Sequence, residues 1–313
     1  MTTLIVVLPI FALILAGWLC RRAGVLGENA ATEISRFVVY LALPAVLFDI
    51  TGHATWASFY QPGLIAAFSG GAVGVFALTI ALRLWRGRHL ADAGIDGLNA
   101  SYANTAFMGF PIGLALFGQD SLAPVTIATI LTVCLLFCVS IILVEIGLQT
   151  ETRAGPMLLN IGKSLARNPL ILAPVLGVGA AMLGWSPSGG AEHFLKLLGA
   201  AASPCALVAL GLFLGQKSPG AASATAASLP LVALKLIAQP ALTWVLATQI
   251  FHLTPRLTDI TVVIAALPTG TGPFMLAELY SREAAVTSRT ILISTVLSLV
   301  TISAYLGLSH LGR

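Results

Sequence analysis

The stretch "SYANTAFMGFPIGLALFG", residues 101–118, is apolar enough to enter a bilayer, yet it carries Asn104, Thr105, Gly109, Pro111 and Gly113. A helix in hydrocarbon must satisfy its own backbone, because no water is there to do so. Proline removes a donor and clashes with the preceding turn, and glycine permits the unwound conformations that follow. The stretch reads as a membrane helix interrupted near its middle. A second stretch, "ALPTGTGPFMLAELY" at residues 266–280, has the same character, with Pro268, Gly270, Gly272 and Pro273.

Composition supplies the setting for the two breaks. The chain has 313 residues, 58% hydrophobic and 9% charged, with a mean hydropathy of +0.96; soluble domains carry roughly 25% charged residues. This is the composition of an integral membrane protein. Its apolar segments have the length of helices, about 20 residues, rather than the roughly 10 alternating residues of barrel strands, so the chain is expected to be all-α. The N-terminal "MTTLIVVLPIFALILAGWLCRR" has its basic residues after the apolar run, which predicts a retained first span rather than a cleaved signal. Cys20, Cys134, Cys138 and Cys205 lie in or beside apolar segments without the paired spacing of a metal site.

Apolar runs between charged or Gly/Pro breaks predict ten spans, near 4–20, 34–51, 61–84, 97–118, 123–148, 168–185, 197–215, 228–251, 259–280 and 285–308. The odd-numbered loops hold twelve basic residues: Arg21, Arg22, Arg36, Arg83, Arg86, Arg88, Arg153, Lys163, Arg167, Lys217, Arg282 and Arg289. The even loops and the tail hold three, Lys196, Arg256 and Arg313. Because short cytoplasmic loops retain Lys and Arg, the odd loops are expected inside and both termini outside. The net charge of +4 then needs no nucleic-acid partner.

The two halves of the chain echo one another. "LPIFALILAGW" (8–18) parallels "APVLGVGAAMLGW" (173–185), "LPAVLF" (43–48) parallels "SPCALV" (203–208), and the two broken segments occupy the fourth and ninth positions. A repeat of five spans re-enters the membrane from the opposite side, which makes it inverted. The expected organisation is a first five-helix repeat over 1–150, a cytoplasmic linker over 151–167 and a second repeat over 168–313. Inverted repeats with a broken helix in each half are the sequence pattern of secondary transporters, with the substrate at the midplane where the breaks meet.

Each break exposes amides at the start of a half-helix, where the helix dipole favours an anion. Asn104, Thr105, Thr269 and Thr271 add side-chain donors beside Pro111, Pro268, Gly270 and Pro273. The competing reading is that Gly and Pro only kink packed helices; two breaks in matching positions favour a site. Lys235, inside the eighth span, is open to two readings: a substrate or coupling residue, or a side chain snorkelling to the interface. Glu278, Glu145 and Asp49 fall near span ends and read as interfacial carboxylates; Glu278 and Asp49 also stand as coupling candidates. Gln239 with Pro240 offers one more polar group. His53, His89, His193, His252 and His310 fall in loops or the tail, and no hydrolase, phosphate-loop or metal motif is present, so neither an enzyme nor a cofactor is expected.

"ISRFVVYLALPAVLF" (34–48), "NTAFMGFPIGL" (104–114), "ARNP" (166–169), "GLFLG" (211–215) and "ALPTGTGPFMLAELY" (266–280) together resemble the auxin efflux carrier family, which includes the PIN-type plant carriers and bacterial permeases for small organic acids. The resemblance implies ten helices in two inverted repeats, similar to bile-acid symporters and some sodium/proton antiporters. It further implies a scaffold domain (helices 1, 2, 6 and 7), through which a homodimer would form, and a transport domain (helices 3–5 and 8–10) moving as an elevator. Helices four and nine would cross beside the substrate. Asn104 would help bind the substrate carboxylate, Pro268 to Pro273 would supply the second break, and Asn168 would be a further candidate. The plant carriers have a long central loop that this chain lacks, which fits a compact bacterial member. They also tend to be basic at the position after Ala277, where this chain has Glu278, a difference that bears on whether auxin itself is the substrate. The expected function is secondary transport of small organic anions across an inner membrane. A sodium- or proton-coupled carrier of organic acids is the alternative, and a membrane ligand sensor without turnover a third reading.

Overall fold

The structure, a computed structural model, describes residues 2–53, 60–149, 163, 166–215 and 221–308. Most of the expected 151–167 linker, and Lys217, therefore lie outside the described residues. The described chain is helical apart from loops and a single isolated β-bridge. Among the described residues six stretches are long and apolar enough to cross a membrane: Ala30–Gly52, Pro62–Trp85, Ile112–Gly147, Gly189–Gly215, Ala222–Ile250 and Ala284–Leu308. Their apolar character follows from the solvent they face, since in lipid the helix is the form that closes every backbone hydrogen bond within one segment.

We number the helices α1 (Thr2–Arg22), α2 (Ala30–Gly52), α3 (Pro62–Trp85), α4 (Leu90–Ser101), α5 (Phe110–Phe117), α6 (122–147), α7 (Pro169–Met182), α8 (Gly189–Gly215), α9 (Ala222–Ile250), α10 (Pro255–Ala265), α11 (Gly272–Leu279) and α12 (Ala284–Leu308). The 36 residues of Ile112–Gly147 exceed the roughly 20 needed for one crossing. A tight turn at Gly118–Ser121, opened by Gly118 at φ 68°, divides them into α5 and α6.

Proline shapes these helices in a regular way. Pro44, Pro111 and Pro240 each follow a π-helical turn, at Val38–Ala42, Thr105–Gly109 and Leu234–Ala238. A proline cannot donate and crowds the carbonyl four residues back; widening the preceding turn by one residue relieves that clash and leaves the helix continuous. Pro9, Pro174 and Pro230 instead sit inside α-helical segments.

Two sets of packing contacts organise the bundle. α1 lies along the second half of α8, and α7 lies along the second half of α2. α3, α4, α6, α9, α10 and α12 pack chiefly on one another, with α4 between α3 and α6 and α9 touching α3, α10 and α12. The α1–α8 contact depends on small residues: a Cβ on Gly17 would run into the Val208 carbonyl, and one on Gly211 into that of Ile14. Between apolar helices in lipid, such close approach supplies the dispersion contacts that hold the pair together.

Gly211→Ala should push α1 off α8 and lower stability by roughly 1–3 kcal/mol, the usual cost of overpacking. Thermal unfolding of the detergent-solubilised protein would show this as a lowered midpoint; an unchanged midpoint would mean that the helices are not in backbone contact.

Candidate substrate-binding site at the helix crossing

The two interrupted segments meet. α4 ends at Ser101, Tyr102 is extended, and the chain turns at Asn104 (φ -74°, ψ 57°) before the π-turn that leads into α5. α10 ends at Ala265, and residues 266–271 are non-helical before α11 starts. Ala103 and Thr269 form the antiparallel bridge. The Asn104 amide donates to Pro268 O at 2.8 Å, and the Gly270 amide donates to Tyr102 O at 3.0 Å. Each break thus satisfies part of the other's freed backbone. The fit demands glycine: a Cβ on Gly270 would lie 2.9 Å from Tyr102 Cε1, and one on Gly272 2.7 Å from Tyr102 Cζ. The Tyr102 ring also packs edge-to-face against Phe137, centroids 5.8 Å apart.

The four half-helix ends at the crossing are treated unequally. The C-terminal ends of α4 and α10 present carbonyls, and one helix covers both. From α9, Gln239 Nε2 donates to Ser101 O at 3.0 Å, and Lys235 Nζ donates to Ala265 O at 2.8 Å. Both side chains are fully buried. Their spacing of four residues places them on one face, Lys235 within the π-turn at Leu234–Ala238 and Gln239 immediately after it. Thr269 Oγ1 donates to Asn99 O, Asn99 Nδ2 to Thr287 Oγ1, and Ser294 Oγ accepts from the Thr269 amide.

The starting ends keep free donors. The amides of Ala106, Thr271 and Gly272 have no acceptor among the described residues. The Thr105 hydroxyl is buried without a hydrogen-bond partner. No side-chain cap is made by Asn104 or by Thr271, which precede the Thr105–Gly109 turn and α11. Asn104 and Thr271 keep 6% and 5% exposure, whereas Thr105 is fully buried. Covered carbonyl ends and free amide ends are an arrangement that suits a carboxylate; Gln239 Oε1 and Asn99 Oδ1 are buried acceptors without a partner at the same junction.

Of the residues expected at the site, Asn104, Thr105, Pro268, Thr269, Gly270, Thr271 and Pro273 come together here, and Pro111 falls in the first turn of α5, its side chain outside what the structure describes. Thr269 spends its hydroxyl on Asn99 O. Lys235 lies behind the crossing, its amine buried against Ala265 O rather than reaching toward an interface. Three others lie elsewhere. Asn168 caps α7, its side chain accepting from the Leu170 amide at 3.0 Å, near the Tyr280 hydroxyl that donates to Glu145. Glu278 is at the far end of α11 from Thr271, about 10 Å along the axis at 1.5 Å per residue. Asp49 pairs with His53 Nδ1 at 3.2 Å, late in α2. Tyr102, Asn99, Thr287 and Ser294 were not anticipated. Asn99 and Tyr102 precede Asn104 by five and two residues, and a polar residue that close to a break is the signal that points to them.

A family model described as "Membrane transport protein" matches residues 2–306. The chain is 29% identical over 307 residues to a Rhizobium meliloti protein named "Putative malonate transporter", covering 98% of this chain and 95% of that one. It is 28% identical over 305 residues to an "Uncharacterized transporter" of Methanothermobacter thermautotrophicus, covering 95% of each chain. It is 23% identical over 348 residues to "Auxin efflux carrier component 8" of Arabidopsis thaliana, covering 95% of this chain and 94% of that one. The chain belongs to the membrane transport protein family, that of the auxin efflux carriers, and is a multi-pass membrane transporter rather than an enzyme.

Gly272→Ala should destabilise the protein by roughly 1–3 kcal/mol through its clash with the Tyr102 ring. Adding Tyr102→Leu should recover part of that loss. Additive effects in a double-mutant cycle would mean that the two residues are not in contact.

Proposed function

We propose that this member of the family is a secondary transporter of small organic anions, and that the carboxylate binds at the crossing between Asn104 and the start of α11. The observation that carries this reading is the unequal treatment of the half-helix ends: Lys235 and Gln239 cover the carbonyl ends, whereas the amides of Ala106, Thr271 and Gly272 and the side chains of Asn104 and Thr105 are left to a ligand. The relative named for malonate makes a small dicarboxylate the first substrate to test; auxin-like acids follow from the plant relative.

Ten spans in two inverted five-helix repeats fit the helix order, with α4–α5 as the broken fourth span and α10–α11 as the broken ninth. The separate packing of α1, α2, α7 and α8 supports a scaffold against which the remaining helices move in an elevator-type alternating access. The arginine distribution supports an orientation with both termini outside an inner membrane, and a homodimer through the scaffold belongs to the same reading. Coupling to a proton is a second reading, favoured by a buried lysine amine whose hydrogen-bond partner is a backbone carbonyl. Substrate uptake indifferent to imposed pH and sodium gradients would exclude coupling.

In proteoliposomes the wild type should take up malonate, and Asn104→Ala should weaken malonate binding by roughly 10- to 100-fold. That range corresponds to the ~1.5–3 kcal/mol of a hydrogen bond to a charged group. Malonate should also raise the thermal midpoint of the wild type and have little effect on that of the variant. Equal binding by both proteins would remove Asn104 from the site.

A further inference from the structure

A cavity of about 370 Å³ opens at the arginine-rich end of the bundle, away from the crossing, among the end of α3, the start of α9 and the start of α12. Arg83, Arg86, Arg88, Ser223 and Glu283 line it. Two of the three guanidinium groups are already engaged. Arg83 Nε lies 2.8 Å from Asp96 Oδ2, a fully buried carboxylate, and its Nη2 donates to Ala227 O at 3.4 Å. Arg88 pairs with Glu283. Arg86 makes no ion pair among the described residues. Three guanidinium groups set against two carboxylates leave one positive charge in excess, and the free guanidinium carries it.

The surroundings select the kind of anion. Trp85, next to Arg86, is 83% exposed, and Leu82 and Leu84 on α3 and Leu229 on α9 also face outward. An exposed tryptophan at the end of an apolar helix is the usual marker of the headgroup level of a bilayer. The cavity therefore sits where a phosphate is available, and the apolar faces of α3 and α9 beside it offer a bed for acyl chains. A free anion would use the guanidinium alone, whereas a phospholipid uses both.

We propose that this cavity binds the phosphate headgroup of an anionic phospholipid. Arg86 donates to the phosphate, Ser223 is a second donor within the same cavity, and the fixed Arg83–Asp96 and Arg88–Glu283 pairs shape the walls. Basic pockets between helices at the positively charged side of a membrane protein have the chemistry to hold such headgroups, and a guanidinium fork matches phosphate oxygens in two-point contact. The site is separate from the crossing and does not depend on what the crossing transports.

Native mass spectrometry of the whole detergent-purified protein tests this. The probes are phosphatidylglycerol, phosphatidylcholine and inorganic phosphate, against wild type, Arg86→Gln and Arg36→Gln, the last removing an exposed charge outside the cavity. The wild type should retain phosphatidylglycerol over phosphatidylcholine, and Arg86→Gln should weaken phosphatidylglycerol binding about fivefold, the effect of one charge near an anionic headgroup. Arg36→Gln should bind as the wild type does, with thermal midpoints alike in all three. Equal retention of the two lipids, or equal loss in both variants, would overturn the site. Inorganic phosphate binding as tightly as phosphatidylglycerol, with the same dependence on Arg86, would overturn the lipid as its occupant.

Discussion

Unwound backbone at membrane depth has to find hydrogen-bond partners, and the two breaks find them in each other. The Asn104 amide to Pro268 O and the Gly270 amide to Tyr102 O are the two bonds that join them. Each bond needs both segments in place, and the second segment needs Gly270 and Gly272 where it passes the Tyr102 ring. Five buried polar side chains serve the same junction: Asn99, Thr287 and Ser294 hold the Thr269 side of it, and Gln239 and Lys235 close the carbonyl ends.

That closure separates the ends of the half-helices by charge. A helix end is worth roughly half an elementary charge, positive at the start and negative at the finish. Four ends meeting at one place would largely cancel. A fully buried amine and a carboxamide drawn from a single face of α9 satisfy the two negative ends, and the positive ends remain. In the proposed reading, selection for an anion would arise from backbone geometry, with the side chains of Asn104 and Thr105 adding direction. Lys235 acts here through Ala265 O, which also accounts for a lysine in a span where a charge is otherwise costly.

Much of this was legible in the sequence, for a physical reason. Pro111, Pro268 and Pro273 with their glycines cannot continue a regular helix, so the breaks announce themselves, and hydrocarbon leaves such breaks few options. Asn104 is a polar residue just ahead of one. Less legible was anything that depends on which helix faces which. Lys235 could be read as a snorkelling side chain until its position against Ala265 was seen, and Gln239 gave no sign that Ser101 was its partner. Tyr102 reads as an ordinary aromatic residue until Gly270 and Gly272 are brought against its ring from 168 and 170 positions away. Asn168 was a candidate through the family resemblance alone; in the structure its carboxamide caps α7, with the Leu170 amide as its partner.

The most direct measurement is the location of bound malonate in an experimental structure of the protein. A carboxylate within hydrogen-bonding distance of the Asn104 side chain and the amides of Thr271 or Gly272 is the predicted result. Malonate bound elsewhere, beside Asn168 or in the arginine-lined cavity with the crossing unchanged, would contradict it.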